Sequence, residues 1–313
     1  MDLLDKKVIA LGGDSLISFL CPNSWLMSGD LAVVMDVAGT IMRMYRVAKD
    51  IPRDIILEKV VTWELIMEKS GRALVVPQID PDTIISCNPD HPIRVLVLGR
   101  EECIKISCSS SQISPDEVLM ILKSSPVKMR DLQEACAIVK AKCPGNYRTA
   151  GFIVDRDHEE IAYAICTGGI PFPGLERVLL DLKAMGADVF LASGDSRRSL
   201  NSLDDLGIDP SRMNPVANPW RKMEIVTELK ERYGQVVMVG DGLNDIYALK
   251  AADLGVLTVE QHTRPSPRLL DSASVIIKSI RDLPRVIKES GSIGLDESIP
   301  SQQGERQEKY YIP

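Results

Sequence analysis

The chain has 313 residues, 45% of them hydrophobic, enough for one full core and a smaller second unit. A formal net charge of -7 argues against a nucleic-acid or anionic-membrane partner, either of which asks for a basic face. Seven cysteines without a Cys-x-x-Cys pair give neither a disulfide framework nor a zinc knuckle and fit a reducing cytoplasm.

Residues 1–29 place Asp2, Asp5, Lys6 and Lys7 before a short apolar run, the wrong charge order for a secretory signal. Residues 16–27 are apolar but broken by Cys21-Pro22-Asn23-Ser24, short of the ~20 apolar residues that span a bilayer. No export and no membrane span are expected, and Gly12-Gly13-Asp14 reads as a turn. The run Leu31-Ala-Val-Val-Met-Asp36 then predicts a central parallel strand, buried on both faces and ended by a carboxylate.

Residues 41–148 change the rhythm. Strand-like stretches at 60–67, 73–77, 94–98 and 103–108 precede two helices at 115–123 and 129–142, which predicts an inserted α+β module. Gly168-Gly169 reads as a turn. Leu175, Val178, Leu179 and Leu182 form a helical stripe stopped by Gly186, followed by a strand at 188–192. A helix after Ser196, another after Trp220, a strand at 235–239, a helix from Leu243, a strand at 254–259 and a helix near 280–287 complete the series. Such alternation predicts an α/β fold, a doubly wound, Rossmann-like parallel sheet built from 30–40 and 149–289. Residues 290–313 turn to Ser, Gly, Gln, Glu and Lys, which predicts a disordered tail.

Four segments put polar residues after apolar strands, where the open ends of a parallel sheet bind ligands. Asp36-Val37-Ala38-Gly39-Thr40 offers a carboxylate and a glycine that lets backbone approach a phosphate. Ala192-Ser193-Gly194-Asp195-Ser196 offers a hydroxyl and backbone N–H groups suited to phosphoryl oxygens. Lys222 can screen a nucleophile from the phosphate it would otherwise repel. Gly240-Asp241-Gly242-Leu243-Asn244-Asp245 holds two carboxylates four residues apart, a usual way to bind Mg²⁺ through hard oxygens. Alone, the first two segments read as turns or helix caps and Lys222 as a solvated lysine. The last exceeds what a cap needs, because it supplies two acids and an amide.

In this order the segments resemble the haloacid dehalogenase (HAD) superfamily. Residues 238–256, Met-Val-Gly-Asp-Gly-Leu-Asn-Asp-Ile-Tyr-Ala-Leu-Lys-Ala-Ala-Asp-Leu-Gly-Val, are similar to the hinge signature of P-type ATPases, and Leu191-Ala-Ser-Gly-Asp-Ser196 resembles their Thr-Gly-Asp motif with Ser193 in place of Thr. Pro171-Phe-Pro-Gly-Leu-Glu176 falls where those proteins carry a proline-rich segment. The resemblance covers 31–40 and about 151–287. It implies a soluble phosphoryl-transfer enzyme with Asp36 as nucleophile, Thr40 and Ser193 on the phosphoryl oxygens beside Gly39 and Gly194, and Lys222 stabilising the transfer. Mg²⁺ would be bound by Asp36, Asp241, Asp245 and the carbonyl of Ala38, with Asn244 supporting the phosphate or its loop. The substrate implied is a small phosphorylated molecule, ATP among the candidates, recognised by the module at 41–148.

Ala38 departs from the pattern. Most HAD phosphatases have Asp there as general acid and base, and losing such a group typically forfeits ~10²–10⁴ in rate. Two alternatives therefore stand beside the phosphohydrolase. Phosphonoacetaldehyde hydrolases share Asp-x-Ala-Gly-Thr but need a Schiff-base lysine, for which Lys49, Lys59 and Lys69 are the lysines after the motif. A low-turnover regulatory HAD protein is the other. Asn88-Pro-Asp-His-Pro92 contains a His-Pro pair of the kind heavy-metal pumps use for ATP, but it is expected to precede a strand and to be an ordinary turn.

Overall fold

The computed structural model describes residues 30–195, 197–261, 264–293 and 310–311, so the expectations for 1–29 lie outside the described residues. The described residues open with β1 (Leu31–Met35), β2 (Met42–Asp50), β3 (Ile55–Glu58), α1 (Thr62–Met67), β4 (Arg72–Pro77), α2 (Pro81–Ser86) and β5 (Ile104–Ser109). Then come α3 (Pro115–Ser124), α4 (Met129–Lys142), β6 (Arg148–Asp155), β7 (Glu160–Pro171), α5 (Leu175–Ala184), β8 (Ala187–Ala192) and α6 (Arg197–Asn201). The remainder is β9 (Met213–Asn214), α7 (Pro219–Lys230), β10 (Gln235–Gly240), α8 (Ile246–Ala251), β11 (Leu254–Thr258), α9 (Pro267–Leu270), β12 (Val275–Ile277), α10 (Leu283–Ile293) and β13 (Tyr310–Tyr311).

Two units result. The first comprises the described residues of Met1–Ile41, Pro173–Ser193 and Ser211–Pro313. Its sheet has the order β13-β12-β11-β10-β1-β8-β9, every pair parallel. All five residues of β1 are buried, as a central strand covered on both faces requires. Ala32 and Val34 pack in one cluster with Ile225, Val226 and Leu229 of α7 and Ile246, Ala248 and Leu249 of α8. On the other side α5 packs against β8 and α10. The expected α/β doubly wound sheet is therefore present, and the tail departs from expectation where Tyr310–Tyr311 pair with Val275 and Ile276. Residues 290–293 extend α10; 294–309 and 312–313 lie outside the described residues.

The second unit comprises Met42–Phe172 and Gly194–Pro210. Its antiparallel sheet runs β3-β2-β7-β6-β4-β5. Helices α3 and α4 form as expected: Ser114 and Glu117 make a reciprocal capping box around Pro115, and Leu132, Ala135, Cys136 and Val139 bury one face of α4.

Several expectations for this unit are corrected. The antiparallel sheet takes β6 and β7, so it reaches Pro171 and does not stop at residue 148. Both faces of these strands are covered, which makes them as apolar as parallel core strands. Phe152, Val154, Ala164 and Cys166 lie in the cluster under α3 and α4, while Ile153, Ala162, Tyr163 and Ile165 pack with Ile66 of α1. The stretch at 60–67 is the helix α1, burying only Ile66. The stretch at 94–98 is instead a 3-10 turn, Ile93–Leu96. Gly168 and Gly169 sit inside β7, not in a turn, and a Cβ at Gly168 would come within 2.6 Å of Val139 Cγ1 and 2.9 Å of Cys143 Cβ. The glycine lets α4 close onto the sheet. Asn88–Pro92 is a turn in which Asp90 N donates to Asn88 Oδ1 at 2.9 Å, and His91 is exposed ahead of the 3-10 segment.

Candidate active site

Strand order creates the site. β1 lies between β10 and β8, with Met35 opposite Val239 on one side and Leu191 on the other, so three parallel strands end side by side. The register continues past the strand ends, where Asp36 N donates to Val239 O at 2.9 Å and Ser193 N to Asn214 O at 3.1 Å. Such a crevice at the carboxyl ends of the strands is where open α/β sheets bind ligands.

Asp36, Asp241 and Asp245 are all buried, with one carboxylate oxygen from each within 4.8 Å of the others. Lys222, fully buried, reaches between them: its Nζ donates to Asp36 Oδ1 at 2.5 Å and to Asp245 Oδ1 at 2.7 Å. Helix α7 delivers this lysine because Asn218 caps its start, accepting from Arg221 N at 2.9 Å, and Pro219 fixes the first turn. The stack of Trp220 on Tyr247, with centroids 4.5 Å apart, ties α7 to α8. Asp245 Oδ2 accepts from Asp241 N and Gly242 N, each at 3.1 Å, which folds the loop back on itself.

Charge decides what this cluster can hold. Burial disfavours the Lys222 ammonium, but the neighbouring Asp245 and Asp36 carboxylates outweigh it and hold the lysine above its ordinary value. One ammonium then faces three buried carboxylates. The excess negative charge and hard oxygen donors fit a small divalent cation and not a soft transition metal.

Gly39 adds a steric condition. Its φ is +85°, and a Cβ there would lie 1.9 Å from Asp241 Oδ2. Gly39→Ala should therefore displace Asp241, and a misplacement of that size costs about 100-fold in turnover. A Mg²⁺ titration of activity, with circular dichroism as the folding control, checks this. Unchanged half-saturation and rate would show that the loop relaxes freely.

The remaining expected residues are distributed unevenly. Thr40 is buried, and its Oγ1 has no hydrogen-bond partner among the described residues. Ser193 is buried at the end of β8, while Ala38 is half-buried. Asn244 is exposed on its loop, its Oδ1 lying 2.7 Å from where a Gly242 Cβ would be, and Gly194 is exposed at the start of the segment assigned to the second unit. Asn214 was not singled out from the sequence, yet it receives Ser193 N and donates Nδ2 to Leu191 O at 3.1 Å. It stands in the two-residue strand β9, and no motif in the sequence marks it.

A family model described as haloacid dehalogenase-like hydrolase matches residues 31–253. A soluble P-type ATPase-like phosphatase of Methanocaldococcus jannaschii is 31% identical over 260 residues, which is 82% of this chain and 93% of that one. A copper-transporting ATPase of Helicobacter pylori is 26% identical over 232 residues, covering 72% of this chain and 29% of the transporter. A solved zinc-transporting PIB-type ATPase matches 85% of this chain and 42% of its own at 15% identity and TM-score 0.42. Among the described residues no helix is long and apolar enough to cross a membrane.

Proposed function

The chain belongs to the haloacid dehalogenase-like hydrolase family, and from that premise we propose that it is a Mg²⁺-dependent phosphohydrolase acting on a small phosphorylated substrate through an aspartyl-phosphate at Asp36. The observation that carries this reading is the buried cluster in which Lys222 bridges Asp36 and Asp245 beside Asp241. Asp36, Asp241 and Asp245, with the carbonyl of Ala38, would hold Mg²⁺, whose charge when bound neutralises phosphoryl oxygens.

The protein's own groups supply the rest. An Asp36 oxygen attacks phosphorus as the ester oxygen leaves, so one P–O bond forms while another breaks; water then attacks the same phosphorus, restoring the carboxylate and releasing phosphate. Lys222 offsets the charge of nucleophile and phosphate together. Thr40 Oγ1, buried and unpartnered among the described residues, is free to donate to a phosphoryl oxygen, and Ser193 would do the same from β8. Asn244 and the backbone at Gly39 would line the phosphate site. A cytoplasmic setting belongs to the same reading, since the six described cysteines are free.

The carbon–phosphorus alternative needs a lysine amine that is neutral enough to form an imine. Lys49 is the buried one of the three lysines named. Burial opposes its charge, but Asp54 at 2.5 Å and Glu134 at 2.6 Å outweigh it and keep the pKa above the ordinary value. Lys59 and Lys69 are exposed. These settings favour the phosphatase.

Radiolabelled substrate and an acid quench test the reading. Without a carboxylate at position 38 to activate water, the phosphoenzyme should accumulate, and Ala38→Asp should speed its breakdown by ~10-fold or more. Phosphate released with no acid-stable label in either protein would overturn the aspartyl-phosphate. An imine trapped by borohydride with phosphonoacetaldehyde would promote the alternative.

A further inference from the structure

We propose that the second unit carries a binding site for a small oxyanion, a phosphoryl or carboxylate group, in the cavity at Arg148. The cavity has a volume of about 250 Å³ and is lined from three parts of that unit: Asp80 and Asp82 at the start of α2, Arg148 at the start of β6, and Arg198, Asn201 and Ser202 from α6 and the turn after it. This inference is independent of the catalytic reading, since no residue of the carboxylate cluster takes part.

Arg148 is the reason to expect a ligand. It is only 4% exposed, and its Nη2 donates to Asp82 Oδ2 at 2.9 Å, yet its Nε and Nη1 have no hydrogen-bond partner among the described residues. Leaving buried charged donors unpaired is costly, and native proteins seldom do so without a ligand or ion to complete them. The neighbouring charges are already committed. Arg198 Nη1 binds Asp80 Oδ2 at 3.0 Å, its Nη2 binds the Arg148 carbonyl at 2.7 Å, and Lys140 Nζ binds Asp82 Oδ1 at 3.0 Å. Three cations thus face two carboxylates, which leaves one positive charge uncompensated beside the cavity.

Chemistry and size narrow the ligand. A guanidinium prefers the oxygens of phosphate or carboxylate, and Asn201 and Ser202 add neutral donors for a polar remainder. The volume falls below the ~300 Å³ at which pockets begin to enclose drug-sized molecules and suits a small anionic group.

The test uses the full chain in EDTA, which keeps phosphate from the metal-dependent site. The Arg148 Nε–H resonance, identified by its loss in Arg148→Lys, is followed while inorganic phosphate, acetate or chloride is added. A saturable shift with phosphate alone marks a phosphoryl site, with acetate alone a carboxylate site, and with both a general oxyanion site. Asn201→Asp, at an exposed lining position, should raise the half-saturation by roughly 5–10-fold through repulsion. This variant keeps the test open through calorimetric titration of the same anions if Arg148→Lys does not fold. No binding beyond the chloride control, or binding that Asn201→Asp leaves unchanged, overturns the proposal.

Discussion

Asp36→Asn should reduce phosphate release to background, a loss of about 10³-fold or more, because it removes the atom that forms the covalent bond and leaves the rest of the site in place. The two side chains have nearly the same shape, and Lys222 keeps its contact with Asp245 at 2.7 Å, so the buried ammonium retains a partner and the variant should fold. An asparagine at this position must turn its amide oxygen toward the ammonium that now lies 2.5 Å from Asp36 Oδ1. Mg²⁺ affinity should also fall, since one of the three carboxylates is gone. Steady-state release, acid-stable label and thermal unfolding are measured side by side on one preparation. A rate within ~10-fold of wild type, with normal unfolding, would mean that another group takes the phosphoryl or that water attacks directly.

The site was legible where a local pattern carried its own physics. A run of five apolar residues ending in Asp36, and a Gly-Asp-Gly turn with two acids and an amide, need no distant partner to be read. The helix expected after Trp220 begins slightly earlier, because Asn218 caps α7 and Pro219 is its first residue, and this start sets where Lys222 points. What could not be read depends on cover from elsewhere. β6 and β7 carry the same unbroken apolar signal as parallel strands because α4 and α1 shield their two faces, and nothing local tells an antiparallel sheet covered twice from a parallel one. The stretch at 60–67 begins with β-branched and aromatic residues but goes on to Glu64, Leu65 and Met67, which favour helix; Ile66 is fully buried, with Val60 and Leu65 packed half-buried against the same cluster. Arg148 had no signal at all: its partner Asp82 lies 66 residues away, and Arg198, which holds its carbonyl, lies 50 away.

The Lys222→Met variant should lose both stability and activity, and Mg²⁺ should restore mainly the first. Methionine fills most of the lysine volume, so packing changes little, but Asp36 and Asp245 lose the cation that now sits within 2.7 Å of each. Removing one partner of a buried pair costs about 3–5 kcal/mol, because the remaining charge stays desolvated and uncompensated. In EDTA the variant should therefore unfold at a markedly lower temperature than wild type. Added Mg²⁺ should recover part of that loss by binding only the folded cluster. Turnover at saturating Mg²⁺ should still fall by about 10²–10³-fold, since the preorganised ammonium that offsets charge in the transfer is absent. The wild-type pH dependence follows from the same contact. With the folded pKa of Lys222 raised above its unfolded value near ~10.4, its stabilising contribution is complete below that pH and declines only as pH rises through the higher folded value. Assays between about pH 6 and 9 consequently lie on a plateau for this group, and any limb of the rate profile there must come from another residue. Wild-type unfolding of Lys222→Met in EDTA, together with activity within ~3-fold of wild type, would remove Lys222 from both roles.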